Sequence, residues 1–265
     1  MDLSNICRQA VLLAEQTARF LRQELGNVST SQIEEKALNS LVSYVDKTAE
    51  AQLVEGLQAI TPGCSFLTEE DTVENTEGDL RWIVDPLDGT TNFLFQLPVF
   101  SISLGLEVEG ALVLGIVYEV NQSEAFYAWK DGGAYLNGRS IRVSQRPSLP
   151  ESLLATGFPY YDYDQTQAYL KALEHFMQHT RGIRRFGSAA VDLAYVACGR
   201  FDGFFEYSLQ PYDVAGGALI VQEAGGIVTD FQGGSNWLHG GEMLASNALI
   251  ATDFLSVVRT AFKTQ

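Results

Sequence analysis

The chain has 265 residues, of which 46% are hydrophobic and 19% charged, and 33 acidic side chains against 17 lysines and arginines leave a formal charge of -16. That length can bury a sizeable core, and the composition is globular rather than disordered. So acidic a surface repels nucleic acid and anionic lipid, so neither is expected as a partner.

From the N-terminus, residues 3–25 carry Leu3, Ile6, Ala10, Leu13, Ala14, Thr17, Phe20 and Leu21 near one face, which predicts an amphipathic helix stopped at Gly26. The same opening stretch lacks a basic n-region, and no run approaches 18 apolar residues, so neither a signal peptide nor a membrane span is expected. The strip Ile33–Tyr44 is open to two readings, a continued helix or a loop. A second helix is predicted from near Asp46 to Ile60, with Leu53, Leu57 and Ile60 inward and Pro62-Gly63 as its stop.

From Arg81 the pattern changes to strands. Trp82-Ile83-Val84 is a short buried strand ending in carboxylates, and Ser101–Glu107, Ala111–Glu119 and Glu124–Trp129 follow as a mostly antiparallel meander. Glu109-Gly110, Asn121–Ser123, Asp131–Gly133 and Asn137-Gly138 supply turn signals. Pro147–Pro150 reads as a hinge, dividing the chain into an α+β half, 1–147, and an α/β half, 148–265, that together form one unit. In the second half, 168–178, 187–198 and 213–223 read as helices. Residues 203–206, 227–230 and 249–251 read as strands, and a last helix closes the chain. The fold class expected is α/β (α+β), with two sheets and interleaved helices.

Three cysteines, Cys7, Cys64 and Cys198, form no CxxC pair, which fits a reducing compartment, and the expected location is the cytoplasm. His175 and His179, four apart on a predicted helix, lack a His-Glu-x-x-His context and read as a surface face. His239 has no nameable partner, the glycine-rich stretches match no nucleotide-binding fingerprint, and no GxSxG elbow is present. The aromatic run Phe158–Tyr163 has no basic interleaving and reads as a loop lining a pocket or an interface.

The segment Asp85-Pro-Leu-Asp-Gly-Thr-Thr-Asn-Phe93 carries the chemistry. Two carboxylates three apart at a strand end resist ionising together unless a cation compensates, and such hard oxygen ligands suit Mg²⁺. Gly89–Asn92 reads as a helix start, where a glycine admits close approach and free N–H groups can meet phosphate. In a protein this acidic, phosphate binding itself points to bound metal. Asp85 and Asp88 taken alone could equally be turn and cap residues. Further acids count against that: Glu69 after Phe66-Leu67, and Asp213 at a helix start ahead of the small residues Ala215-Gly216-Gly217.

With these residues in view, the chain resembles the inositol monophosphatase family of magnesium-dependent, lithium-sensitive phosphatases. The resemblance rests on WIVDPLDGTTNF at 82–93 and YDVAGGALIVQEAGG at 212–226, supported by FLTEED at 66–71 and RRFGSAAVDLAYVACGRFDGFFE at 184–206. It implies a layered αβαβα sandwich of the inositol monophosphatase/fructose-1,6-bisphosphatase type. It also implies two to three Mg²⁺ ions and a homodimer.

Carried over residue by residue, Glu69, Asp85 and the Leu87 carbonyl match ligands of a first metal. Asp85, Asp88 and Asp213 match ligands of a second, and Glu69 contributes to a weaker third. Gly89 and Thr90 match positions that meet phosphate or the attacking water, and Asp46 matches the acid that bonds Thr90 and helps activate that water. Ala189 and Glu206 match contacts to the substrate's alcohol portion. The implied reaction is hydrolysis of a small phosphorylated polyol or metabolite, inositol monophosphate first, by metal-activated water without a phosphoenzyme, with Glu69, Thr90 and Asp46 as the catalytic groups.

Other readings stay open for single residues. Asp46 could serve as a helix N-cap, Glu206 as a solvated strand-end charge, Glu70 as a surface acid, and Lys36 as a solvated lysine. Ser40, Ser43 and Tyr212 depart from residues common in relatives, all at the edge of the site, which bears on substrate choice rather than on metal chemistry.

Rival substrates served by relatives are fructose 1,6-bisphosphate, 3′-phosphoadenosine 5′-phosphate and histidinol phosphate. The compact, lysine-poor chain favours a monophosphate. A D-x-D-G-T phosphatase with an aspartyl-phosphate intermediate is disfavoured by the two-residue gap between Asp85 and Asp88. A non-catalytic metal-binding regulatory protein is the rival of another class.

Overall fold

The computed structural model describes residues 1–37, 40–159 and 163–263. Asn39 and the Tyr160–Asp162 part of the aromatic run lie outside the described residues, as do the side chains of Lys36 and Ser40.

Helix α1 (Leu3–Glu24) buries Ile6, Ala10, Ala14 and Leu21 along one face. Gly26, at φ 81°, turns the chain out of it. Where the strip after it is described, it forms the antiparallel strands β1 (Ile33–Ala37) and β2 (Ser40–Ser43) in place of a helix. Helix α2 (Tyr44–Ile60) follows at once. Its N-cap is Ser43, whose side chain accepts the Val45 N–H, while Asp46 in the first turn accepts the Ser43 N–H. Asp46 is thus the third residue of a capping box and not the N-cap itself.

Strands β3 (Ser65–Thr68), β4 (Leu80–Asp88), β5 (Ser101–Val108), β6 (Ala111–Glu119), β7 (Glu124–Trp129), β8 (Gly133–Leu136) and β9 (Arg139–Ile141) form a seven-stranded sheet in chain order. Only β3–β4 is a parallel pair; the rest is the meander that the alternation predicts. Between β4 and β5 lies the short helix α3 (Thr90–Leu94).

The second sheet has the order β11-β10-β12-β14-β13, from β10 (Leu153–Thr156), β11 (Gly182–Arg184), β12 (Gly203–Tyr207), β13 (Gly226–Thr229) and β14 (Glu242–Asn247). Its helices are α4 (Thr166–His179), α5 (Ala189–Ala197), α6 (Pro211–Glu223) and α7 (Ala251–Phe262). The strand expected at 249–251 lies instead at 242–247. Its small residues Ala245 and Ser246 mask the apolar signal there. The Asn247 side chain then accepts the N–H groups of Leu249 and Ile250 at 2.9 and 3.1 Å, ending the strand and starting α7.

The layers follow from who packs on whom. Helices α1 and α2 cover one face of the large sheet, α5 and α6 lie between the two sheets, and α4 and α7 cover the far face of the small one. This is the expected αβαβα sandwich. Glycines set the closeness of the middle layer. A Cβ on Gly216 of α6 would lie 2.6 Å from the Ile116 carbonyl, one on Gly105 2.7 Å from Ala215 Cβ, and one on Gly115 2.3 Å from the Gly216 carbonyl. Helix α6 therefore rests backbone-to-backbone on β5 and β6, which brings its first turn, with Asp213, to the end of β4. No described helix is long and apolar enough to cross a membrane.

Candidate active site

Side chains alternate along a strand, so residues three apart normally face opposite sides. Asp85 pairs with Ser103 but Asp88 pairs with Ser101, so β4 carries one extra residue between them. That bulge returns both carboxylates to one face, and proline, which has no N–H to give, is tolerated at Pro86 for the same reason. Both acids then look toward α5 and α6. With Asp213 from the first turn of α6 they bring three carboxylate oxygens within 4.8 Å of one another.

The electrostatics agree with a cation site. Burial, followed by repulsion from Glu69, Asp88 and Asp213, holds Asp85 well above the usual carboxylate range. Burial raises Asp88 to about 6 against the opposing hydrogen bonds it receives, and burial with Asp88 beside it raises Asp213 to about 7. Three acids so placed and so short of compensation fit a hard divalent cation such as Mg²⁺. One oxygen of Asp88 is already committed. The Ser188 hydroxyl and the Ala190 N–H donate to its Oδ2 at 2.5 and 2.8 Å, tying the N-terminus of α5 to the cluster.

Next to the cluster, Gly89 sits at φ 97°, where an added Cβ would lie 3.1 Å from the Val99 carbonyl. Only glycine fits that turn between β4 and α3. Thr90 follows, its Oγ1 2.9 Å from Asp46 Oδ1 and 3.0 Å from the Leu87 carbonyl. Asp46 accepts from Ser43 with its other oxygen, so the capping role and the contact to Thr90 coexist.

One pocket gathers nearly all the residues singled out from the sequence. Glu69, Asp85, Leu87, Asp88, Gly89, Thr90, Ala189, Glu206 and Asp213 line it, and Asp46 stands just behind Thr90. It encloses about 830 Å³ including its open mouth, the size of a small-molecule site. Tyr212 lines the rim, and its carbonyl accepts from Ser103 at 3.1 Å. By contrast, His175 and His179 stack with ring centroids 4.3 Å apart on α4, and neither lines the pocket.

Sequence reasoning passed over three contributors. Glu50, buried on α2 one turn after Asp46, accepts the Glu70 N–H at 2.7 Å and both the N–H and hydroxyl of Thr72, at 2.8 and 2.7 Å. It pins the segment that carries Glu69; the i, i+4 spacing from Asp46 was the available signal. Asn92 donates to the Val99 and Phe186 carbonyls at 2.7 and 2.8 Å and so joins the α3 turn to the segment before α5. Arg185 is the one basic side chain among the described residues lining the pocket, and its guanidinium stands 5.2 Å from the Phe158 ring centre.

Comparison with known proteins agrees with this arrangement: the sequence model of the inositol monophosphatase family matches residues 2–261. The chain belongs to the inositol monophosphatase family. An inositol-1-monophosphatase of Rhizobium meliloti is 42% identical over 258 residues, covering 97% of this chain and 96% of the relative. The Nus factor SuhB of Escherichia coli K12 is 38% identical over 251 residues, with 94% of each covered. Among solved structures, the extragenic suppressor protein suhB of Bartonella henselae superposes with a TM-score of 0.90 at 39% identity, covering 98% of this chain and 99% of that one. The family acts on phosphorylated small molecules. Its members named here carry both enzymatic and Nus-factor names.

Proposed function

We propose that this chain is a magnesium-dependent phosphatase of small phosphate monoesters, with inositol monophosphate as the leading substrate. The observation that carries the reading is the Asp85–Asp88–Asp213 cluster set beside the Thr90–Asp46 pair. In this reading the three acids, with Glu69 and the Leu87 carbonyl, hold two to three Mg²⁺ ions. Magnesium there supplies a Lewis acid that neutralises phosphate charge and makes water more acidic.

The chain's own groups do the rest. The Thr90 hydroxyl has one proton and two acceptors, Asp46 and Leu87, so its remaining lone pairs are free to accept from a water in the pocket. Asp46 fixes that hydroxyl, and burial raises Asp46 above its ordinary range, so it can take up a proton more readily than a surface acid. Glu69 shares in orienting and deprotonating the water. The amides and hydroxyl at Gly89–Thr90 meet the phosphate, while Ala189 and Glu206 meet the alcohol. Attack by water needs no phosphoenzyme.

The test is phosphate release from inositol 1-phosphate, fructose 1,6-bisphosphate, 3′-phosphoadenosine 5′-phosphate and histidinol phosphate with Mg²⁺. Turnover of the first, suppressed by Li⁺ at tens of millimolar, is the expected result. Silence across the panel with Mg²⁺ shown to bind by calorimetry would overturn it. The expected homodimer is checked by sedimentation at the same concentrations.

A second reading, a role like that of the relatives named Nus factors, is favoured by their 38% identity over 94% of the chain. The two roles are compatible. With a net charge of -16, such a role would run through protein contacts rather than a nucleic-acid backbone.

A further inference from the structure

Helix α5 is apolar throughout, Ala-Ala-Val-Asp-Leu-Ala-Tyr-Val-Ala, with one exception, Asp192. Asp192 is 1% exposed, and neither of its carboxylate oxygens has a hydrogen-bond partner among the described residues. A carboxylate in that state costs several kcal/mol in lost solvation, so it is neutral or it is compensated. The helix macrodipole offers it about 0.3–1 kcal/mol, too little to decide the matter.

The charged groups that act on it come from three elements. Glu206 reaches it from β12 and Asp88 from the end of β4, both repelling a negative charge, and Arg185 from the segment before α5 attracts one. Among the described residues, the other strands packed on α5 bring Val117 of β6, Ala155 of β10, and Met243 and Ala245 of β14 to the shared core, while the Ser101 hydroxyl of β5 meets that of Ser188 at the helix start. In α6, Asp213 acts on Glu206.

The placement singles out Glu206. In β12, Phe204 packs in the core shared with α5, whereas Phe205 and Tyr207 pack toward α4 and α7. Alternation puts Glu206 on the Phe204 side, facing α5. Asp192 lies three residues after Ala189, on the same helical face, and Ala189 lines the pocket with Glu206. Glu206 is closely packed on one side: a Cβ on Gly157 would fall 2.0 Å from its carboxyl group. Glu206 thus repels a charge on Asp192, and of the two acids only Glu206 lines the pocket, together with Arg185. Burial holds both acids well above the usual carboxylate range. The first proton belongs on the one that, among the described residues, neither lines the pocket nor has a hydrogen-bond partner.

We propose that Asp192 is a neutral carboxylic acid at neutral pH and a positioning residue for the pocket's alcohol end, holding the proton of a carboxyl pair so that Glu206 alone presents negative charge to a substrate hydroxyl. This rests on the phosphatase reading for its consequence but not for its protonation state.

The experiment has two arms on the full-length, Mg²⁺-loaded protein. In the first, infrared difference spectra at pH 7 compare wild type with Asp192→Asn. A carboxylic-acid C=O band lost in Asp192→Asn supports the proposal, and a difference spectrum showing only carboxylate bands overturns it, whatever the enzyme turns over. In the second, Asp192→Asn and Asp192→Leu are assayed with inositol 1-phosphate and with p-nitrophenyl phosphate, which has no polyol hydroxyls. Asn, a neutral near-isostere, should keep KM for inositol 1-phosphate within about twofold. Leu, which removes the polar side chain beside Glu206 altogether, should raise that KM about tenfold, the size of one coupling between neighbouring side chains, with KM for the aryl ester unmoved. Equal losses on both substrates would mark Asp192 as merely structural and overturn the positioning role. If Leu does not fold, the infrared band and the Asn variant still decide. If no substrate is hydrolysed, the phosphatase reading fails and the band still answers for Asp192.

Discussion

At one end of the pocket, Asp85 and Asp88 sit on a bulged strand and Asp213 on a helix that glycines press against the same sheet. At the other end, Glu206 stands on the second sheet, Ala189 at a helix start and Arg185 on a connecting segment. The first end is fixed by backbone-to-backbone packing that depends on Gly105, Gly115 and Gly216. The second is assembled from elements joined to the first by the packing of α5 on α6 and by hydrogen bonds of Ser188, Ala190 and Asn92. Under the proposed function, such a design would let the reaction stay constant while the leaving alcohol varied, and it predicts that substitutions at the two ends differ in kind as well as in size.

The largest effect is expected from Asp85→Asn. Asp85 feels the charges of Glu69, Asp88 and Asp213 together, and its loss removes the acid common to them. We expect kcat to fall by about 10³-fold or more, as for other groups that organise charge in a transition state. Circular dichroism should show the fold retained, because the isosteric amide leaves packing unchanged. Near-normal turnover at saturating Mg²⁺ would remove the distinction between the two ends.

Metal removal probes the same end through stability. Asp88 and Asp213, raised to about 6 and about 7, are acids whose folded values lie above their unfolded ones. For such a group the unfolded chain gives up its proton first as pH rises. The metal-free fold therefore loses stability from about pH 4 upward until the folded values are passed. A two-unit shift corresponds to roughly 3 kcal/mol. Mg²⁺ should offset that loss, so the rise in Tm on adding Mg²⁺ should be larger at pH 7.5 than at pH 5. A rise that shrinks with pH contradicts the assignment. Asp85→Asn should shrink it at both values.

How much of this was readable in the residues depended on the scale of the determinant. The helices over 3–24 and 44–60 and the meander from Ser101 to Trp129 follow local periodicity, and the acids followed from the two motifs. The strand pair β1–β2 did not, because its strands are short and polar and one reading of the strip was helical. Glu50 was missed for a different reason. Its partners, the Glu70 and Thr72 backbone groups, are some twenty residues away, and no local pattern marks a carboxylate that serves another loop's N–H groups. Nor did the spacing of Asp85 and Asp88 disclose the bulge that turns them to one face, since that is set by pairing with Ser103 and Ser101.

An intermediate effect should come from Thr90→Ala. The hydroxyl bridges Asp46 and the Leu87 carbonyl, next to the cluster but not in it. We expect about a 10²-fold fall in kcat, within the range for a group that orients a proton transfer. Mg²⁺ affinity measured by calorimetry should be nearly unchanged. A parallel loss of Mg²⁺ binding would mean that Thr90 supports the metal end instead of the water.

Glu206→Gln offers the smallest effect and the sharpest contrast. The amide keeps the size of the side chain, so the tight contact with Gly157 survives, and it keeps one acceptor oxygen for a substrate hydroxyl. What it removes is charge, and a hydrogen bond to a charged group exceeds a neutral one by about 1 kcal/mol. KM for inositol 1-phosphate should therefore rise only about fivefold, with kcat and Mg²⁺ affinity held. With p-nitrophenyl phosphate nothing should change, because no polyol reaches that end. A loss of kcat on both esters would mean that Glu206 acts on the metal end through Asp213, whose charge it already feels, and the division of labour would have to be redrawn around that pair.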